Sequence, residues 1–286
     1  MSTIVITGAS RGIGFATAVV LARAGHCVTG TMRDPAACPE LSRLCADEAL
    51  PLRIEQMDVD SDESVAGCFA EILSRGPVDA LVNNAGVEHM GSVEETDLAS
   101  FRACMETNFF GVLRCVKAVA RHMRERRRGA IVNVSSVAGK ISVAPMTPYA
   151  ASKSALEAAS EALAQEMAAF GVRVAIVEPG ITDTRMARAI EAQQPSPLYP
   201  HARRIAALFA ASLRNGAATP EIVAGKIREI IESDAPLLRQ PATPDARPFL
   251  SWRESMSDEQ WIRWGSQDDE AWCATVKRDF GMDVVL

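Results

Sequence analysis

Four histidines, seven cysteines and no surplus of basic residues are all that the 286-residue chain offers for metal, disulfide or nucleic-acid chemistry. The histidines are scattered and no C-x-x-C pair occurs, so no metal site is expected. Cys27, Cys38, Cys45, Cys68, Cys104, Cys115 and Cys273 are odd in number and dispersed, which reads as reduced thiols of a cytoplasmic protein. A formal charge of −6 argues against a nucleic-acid surface as the main function. The one basic run, Arg124 to Arg128, sits where a helix should end, just before Gly129, and complements the helix dipole there. No apolar run is long enough to span a bilayer, and no charged leader precedes Thr3-Ile4-Val5-Ile6-Thr7. Neither a membrane span nor a secretory signal is therefore expected. Internal repeats and low-complexity tracts are absent too.

What is present is an alternation of β-branched apolar runs with helix-like segments. Strands are predicted near 3–7, 27–31, 52–58, 78–83, 129–135 and 172–178, and helices near 12–24, 40–48, 61–75, 98–125 and 149–170. Runs such as Ala130-Ile131-Val132-Asn133-Val134 are almost continuously apolar, as a sheet buried on both faces requires. The fold class is α/β, one doubly wound parallel sheet. Asp60 with Glu63 gives a capping-box start to the third helix. Beyond the sixth strand, residues 181–200 read as a long functional loop containing Pro195, Pro197 and Pro200, followed by a helix near 200–214. Thr219-Pro220 opens another helix, and the proline-rich stretch 235–248 suits a short edge strand and an irregular crossing. A helical tail follows: Ser257 and Gln260 form a capping box, and Trp272, Val276 and Phe280 recur every four residues.

Three patterns carry chemistry. The first strand enters Thr7-Gly8-Ala9-Ser10-Arg11-Gly12-Ile13-Gly14 and then a helix, a turn through which a phosphate can approach backbone N–H groups at a helix N-terminus. Asn83-Asn84-Ala85-Gly86 follows the fourth strand. Tyr149 and Lys153 lie four apart, behind Pro148 in a first helical turn, so a helix sets them on one face. An ammonium beside a phenol favours the phenolate, lowering the pKa toward general acid–base work. Alone, such a pair is usually ordinary packing with a snorkelling lysine.

Together, in this order, these motifs resemble the short-chain dehydrogenase/reductase family, over residues 3 to about 185 and more loosely beyond. The resemblance implies a Rossmann-type fold and reversible hydride transfer between a nicotinamide cofactor and an alcohol or carbonyl. It implies Ser136, thirteen residues before Tyr149, as the hydroxyl that steadies the substrate oxygen, Tyr149 as general acid or base, and Lys153 as its tuning cation. Asn108 matches the family asparagine that bends the fourth helix and holds a water linked to the lysine; a polar residue satisfied at a helix interface is the competing reading. The cofactor would be held by Gly8, Ser10, Arg11, Gly12, Ile13, Gly14, Arg33, Asp58, Val59, Asn84, Ala85 and Gly86, by Tyr149 and Lys153, and by Pro179, Gly180, Ile181 and Thr184. Asp58 is equally readable as a turn or capping aspartate.

Cofactor choice rests on Val28-Thr29-Gly30-Thr31-Met32-Arg33-Asp34. Asp34 lies at the spacing of a ribose ligand, which would select NAD(H). The family pattern instead puts Met32 in the acidic slot and Arg33 beside it, with Arg11 as a second phosphate ligand, which selects NADP(H). Asp34 would then cap a turn before Pro35. The substrate is expected under a lid at about 182–214, against Met186, Ile190, Leu198, Tyr199, Ile205, Leu208 and Phe209, which favours a bulky, mostly apolar ketone or secondary alcohol. Thr31 to Asp34 and the Ala235-Pro236-Leu237 region look similar to the hydroxysteroid and retinol dehydrogenase branch. Residues 1–245 form the Rossmann-type domain and 246–286 a helical extension packed on it. All four tryptophans (Trp252, Trp261, Trp264, Trp272) fall in that extension, facing the substrate mouth, a neighbouring subunit, or the chain's own sheet. Family members pair through the fourth and fifth helices, so a homodimer or homotetramer is expected. Two other readings use the same residues: a non-catalytic nucleotide-binding sensor or scaffold, and an epimerase or dehydratase relative.

Overall fold

β1 (Thr3–Thr7), β2 (Cys27–Met32), β3 (Leu52–Gln56), β4 (Ala80–Asn83), β5 (Gly129–Val134), β6 (Val172–Glu178) and β7 (Arg239–Pro241) form one all-parallel sheet in the order β3-β2-β1-β4-β5-β6-β7. This computed structural model describes every residue except 193–195, 197, 235 and 236. The predicted loop prolines Pro195 and Pro197 and the Ala235-Pro236 pair lie outside the described residues. Successive strand residues point to opposite faces. Ile4, Ile6, Val82, Val132 and Val177 pack under α1 (Gly12–Arg23) and α9 (Pro220–Glu232), joined by Leu41 of α2 (Pro39–Asp47). Val5, Leu81, Ile131 and Val174 pack under α3 (Asp62–Ser74), α5 (Gly111–Arg126) and α6 (Thr147–Ala168). Burial on both sides explains why the strands read as continuous apolar runs.

Strand order reverses beside β1, whose neighbours are β2 and β4. A doubly wound sheet opens a crevice at the carboxyl ends of its strands at such a reversal. The glycine turn after β1 and the Asn84–Gly86 segment after β4 both sit there.

Three local expectations change. The predicted helix 98–125 is two helices, α4 (Leu98–Met105) and α5, joined by a π-helical turn over Glu106–Phe110 that contains Asn108. The third helix is capped by Ser61, whose hydroxyl accepts the Ser64 N–H, while Asp60 accepts the Thr107 hydroxyl at 2.9 Å. The stretch expected to be loop throughout 181–200 contains α7 (Arg185–Glu191), capped by Thr184. The downstream prolines masked that short helix in the sequence.

After α8 (His201–Arg214), the tail forms α10 (Ala246–Glu254), α11 (Asp258–Gly265) and α12 (Asp269–Phe280). The Ser257–Gln260 capping box forms as expected. The tryptophans do not pack on the sheet. Trp264 and Trp272 cluster with Val276, Trp252, Trp261 and Leu208 of α8. Trp261 and Trp264 stack at 5.0 Å, and Trp252 meets both edge-on.

Candidate active site

Gly8 adopts φ +69° and Gly12 φ +56°, left-handed conformations that favour glycine. A Cβ on Gly8 would sit 2.7 Å from the Ala85 Cα, so the turn lies directly against Asn84-Ala85-Gly86. Thr7 locks the two together: its Oγ1 accepts the N–H groups of Asn84 and Ala85, each at 3.0 Å. Asn84 returns the contact, its Nδ2 donating to the carbonyls of Thr7 and Gly8. Arg11, the residue before α1, makes no side-chain cap, so no side chain satisfies the first-turn N–H groups from that position. A phosphate fits donors of this kind.

One cleft gathers almost every residue expected to bind cofactor: Ser10, Arg11, Gly12, Ile13, Arg33, Asp58, Val59, Asn84, Ala85, Gly86, Pro179, Gly180, Ile181 and Thr184 line it, with Gly8. Gly14 stands outside the lining. It is the packing glycine, because a Cβ there would lie 2.9 Å from the Gly8 carbonyl carbon and nearer still to its oxygen. Met32 lines the cleft beside Arg33. Arg33 and Arg11 are exposed, and among the described residues neither guanidinium forms a salt bridge. Asp34 is occupied elsewhere: its Oδ1 accepts the N–H groups of Ala36 and Ala37, the turn cap expected for it. Asp58 makes a turn contact, its Oδ1 accepting the Asp60 N–H, and it also lines the cleft.

Ser136, Tyr149 and Lys153 line the same cleft. Ser136 ends the extended segment after β5, where its Oγ accepts the Ala138 N–H at 3.1 Å. Tyr149 and Lys153 share one face of α6, with the lysine Nζ 5.8 Å from the phenol ring centre and donating to the Val134 carbonyl at 2.8 Å. The expected downward pull on the phenol is not the dominant effect in the protein alone. Burial pushes Tyr149 up to about 12, against the hydrogen bond from Ser136, which lowers it. Burial also lowers Lys153 to about 8. Tyr149 therefore holds its proton at neutral pH, the form that donates.

Asn108 is fully buried, and its side chain is wholly engaged. Nδ2 donates to the Val87 carbonyl (2.8 Å) and Ser152 Oγ (2.9 Å), and Oδ1 accepts the Val87 N–H (2.8 Å). This is the satisfied-interface arrangement, and it ties α6 to the segment behind Asn84-Ala85-Gly86.

Several residues of the site gave no signal in the sequence. Thr243 Oγ1 accepts the Gly180 N–H (2.8 Å), and the Asp245 carboxylate accepts the Ile181 N–H (2.9 Å), pinning the Pro179-Gly180 turn from 63 and 64 residues away. A Cβ on Gly180 would lie 2.6 Å from the Asp245 carboxyl carbon. Ser152, which accepts from Asn108, was equally silent. In the lid, Met186, Ile190 and Phe209 line the cleft. Leu198 and Tyr199 do not: Leu198 is 69% exposed, and the Tyr199 hydroxyl donates to Glu94.

Residues 2–195 match the short chain dehydrogenase family. The chain belongs to that family. It is 38% identical over 263 residues to a protein of Bos taurus named retinol dehydrogenase 8, covering 87% of this chain and 84% of the relative. A crystal structure of a short-chain dehydrogenase from Streptomyces avermitilis superposes with a TM-score of 0.77 at 33% identity, covering 93% of this chain and 98% of that one. A single-substitution variant of actinorhodin polyketide ketoreductase, solved with NADPH, gives 0.75 at 29% identity over 84% of this chain and 94% of its own. As a short-chain dehydrogenase/reductase, the protein is an NAD(P)-dependent oxidoreductase acting on alcohol or carbonyl groups.

Proposed function

We propose that this short-chain dehydrogenase is an NADP(H)-dependent carbonyl reductase and alcohol dehydrogenase for a bulky, mostly apolar ketone or secondary alcohol. The observation that carries this reading is the meeting of Ser136, Tyr149 and Lys153 in the cleft that the glycine turn also borders. When bound, the dinucleotide supplies or takes up the hydride. The open first turn of α1 with Gly8, Ser10, Gly12 and Ile13 would hold its phosphates, and Asp58 with Val59 the adenine. Asn84, Ala85 and Gly86, and Pro179, Gly180, Ile181 and Thr184, would hold the nicotinamide half. Arg11 and Arg33, two exposed guanidiniums that form no salt bridge among the described residues, support a 2′-phosphate and hence NADP(H); the engaged Asp34 supports the same choice.

The chain's own groups handle the oxygen. Ser136 Oγ donates to the substrate oxygen and stabilises the charge that develops there. In reduction Tyr149 delivers its phenolic proton to that oxygen, the role suited to a group held protonated at neutral pH. Lys153 places a cation one helical turn away, which stabilises the phenolate left behind. In oxidation the phenolate is the base and the same cation favours its formation. Asn108 holds α6 in place for both.

Purified protein would be assayed for NADPH oxidation against small and bulky ketones, with NADH and a Tyr149→Phe variant in parallel. Turnover with NADPH that disappears in the variant supports the proposal. Turnover with NADH alone would overturn the Arg33 assignment, and NADPH binding without turnover in either direction would favour a sensor. A cytoplasmic homodimer or homotetramer, paired through α4–α5 and α6, is part of the same reading. The exposure of Leu98 and Phe110 in the first of these segments supports it, and sedimentation velocity tests it.

A further inference from the structure

We propose that the C-terminal extension builds the substrate pocket, with α10 to α12 closing an apolar chamber behind Ser136 that takes the hydrocarbon body of the carbonyl compound. This rests on the reductase reading of the catalytic cleft. Ser136, Met146, Gly180, Ile181 and Phe209 belong to the walls of both the cleft and the chamber, so the two spaces meet at the catalytic hydroxyl. Beyond that mouth, Phe249, Trp252, Trp261, Trp264 and Phe280 of the extension face Leu208 of the lid. Among the described residues, Ser136 is the one side chain of the chamber wall, apart from the indoles, that carries a polar atom.

The wall is already formed in the protein alone. Trp261 lies flat on Trp264 with 6° between their planes, Trp252 meets both edge-on, and Phe280 meets Trp252 at 4.9 Å. Rings held in stacked and edge-to-face pairs lose little freedom when a ligand arrives. The extension is also tied to the lid by a buried cation. Arg204 of α8 is 4% exposed; its Nε donates to Asp269 at 2.9 Å and its Nη2 to the Gln267 carbonyl at 2.8 Å. Its guanidinium lies 5.9 Å from the centre of the Trp272 ring. Lid and extension thus present one continuous surface to the substrate.

The chemistry of the occupant follows from that surface. A hydrocarbon body leaves water for apolar contact, each methylene improving kcat/KM by about fourfold until the chamber is full. A hydroxyl on the same body would lose its hydration and, away from the indole N–H groups, find no partner, weakening binding by about 10-fold or more. The substrate's larger substituent is therefore hydrocarbon throughout, with its polarity confined to the reacting carbonyl.

All four tryptophans lie in the extension, so their emission reports on the chamber directly. The full-length protein would be titrated with 2-dodecanone, without cofactor, while tryptophan emission is followed. Kinetics would then be measured with NADPH for methyl ketones from four to twelve carbons and for 12-hydroxy-2-dodecanone. The expected results are a saturable emission shift, kcat/KM rising along the series, and at least a 10-fold loss for the hydroxylated ketone. Trp261→Leu should lower the ratio of long- to short-ketone kcat/KM by 10-fold or more, through KM. Turnover that ignores chain length, with no emission change, would overturn the chamber while leaving the reductase reading intact. A saturable emission shift without turnover of any ketone would support the chamber and sink the reductase reading.

Discussion

Replacing Arg204 by methionine should loosen the lid from the tail. Methionine keeps much of the side-chain volume but no charge or donor. The wild-type guanidinium bonds the Asp269 carboxylate and the carbonyls of Gln267 and Gly265 at 2.9, 2.8 and 3.4 Å. Removing one partner of a buried pair costs about 3–5 kcal/mol. Asp269 is 39% exposed and can regain water, and Arg203 still holds it, so the expected loss is nearer 3 kcal/mol. For a chain of this size that lowers Tm by roughly 6–12 °C. Arg203→Met is the control: its side chain is 45% exposed, and the same loss of charge should cost about 1 kcal/mol or less. Thermal unfolding followed by far-UV and near-UV circular dichroism reads both, the near-UV band reporting the indole cluster. Equal Tm values for the two variants, or a shift under 2 °C for Arg204→Met, would refute the assignment of Arg204 as the buried latch.

Three further outcomes are expected. Lys153 titrates at about 8, so ketone reduction should decline as pH rises through that value and the ammonium is lost, whereas Tyr149, at about 12, adds no break below pH 10; a profile flat to pH 10 would contradict the role given to Lys153. Gly14→Ala puts a methyl 2.9 Å from the Gly8 carbonyl carbon, against backbone that cannot yield cheaply, and should weaken NADPH binding more than 10-fold with about 1–3 kcal/mol of lost stability, read by titration calorimetry and urea unfolding. Glu178 is 1% exposed, and burial with neighbouring Glu157 raises its carboxyl to about 7, so the folded state binds the extra proton between pH 4.5 and 7 and the carboxylate's penalty is complete above 7. Glu178→Gln should then stabilise the protein at pH 8 by on the order of 1–3 kcal/mol, with the gain fading toward pH 4.5; a gain equal at both pH values would count against a buried charge as the cause.

The strands and their faces were legible because burial on both sides of a parallel sheet leaves near-continuous apolar runs, as at 129–134. The glycine turn, Asn84-Ala85-Gly86 and Tyr149 to Lys153 were legible because each is a short local pattern and the three occur in one order on successive elements. Where local signals competed, the structure differed from expectation. Asn108 sits in a π-helical turn that helix propensity cannot foresee, because its hydrogen bonds go to Val87 and to Ser152 on another helix. α7 went unseen because prolines follow it closely.

Sequence by itself determined the α/β class and the order of the motifs, since these depend on neighbours within a turn or a strand, and the family resemblance pointed to Ser136, Tyr149 and Lys153. Only the tertiary structure decided the direction of the tyrosine's pKa, the pinning of Gly180 by Thr243 and Asp245, and the meeting of the tail with the lid at Arg204. Each of those depends on burial or on groups more than 60 residues apart, and neither leaves a periodic or local trace in the chain.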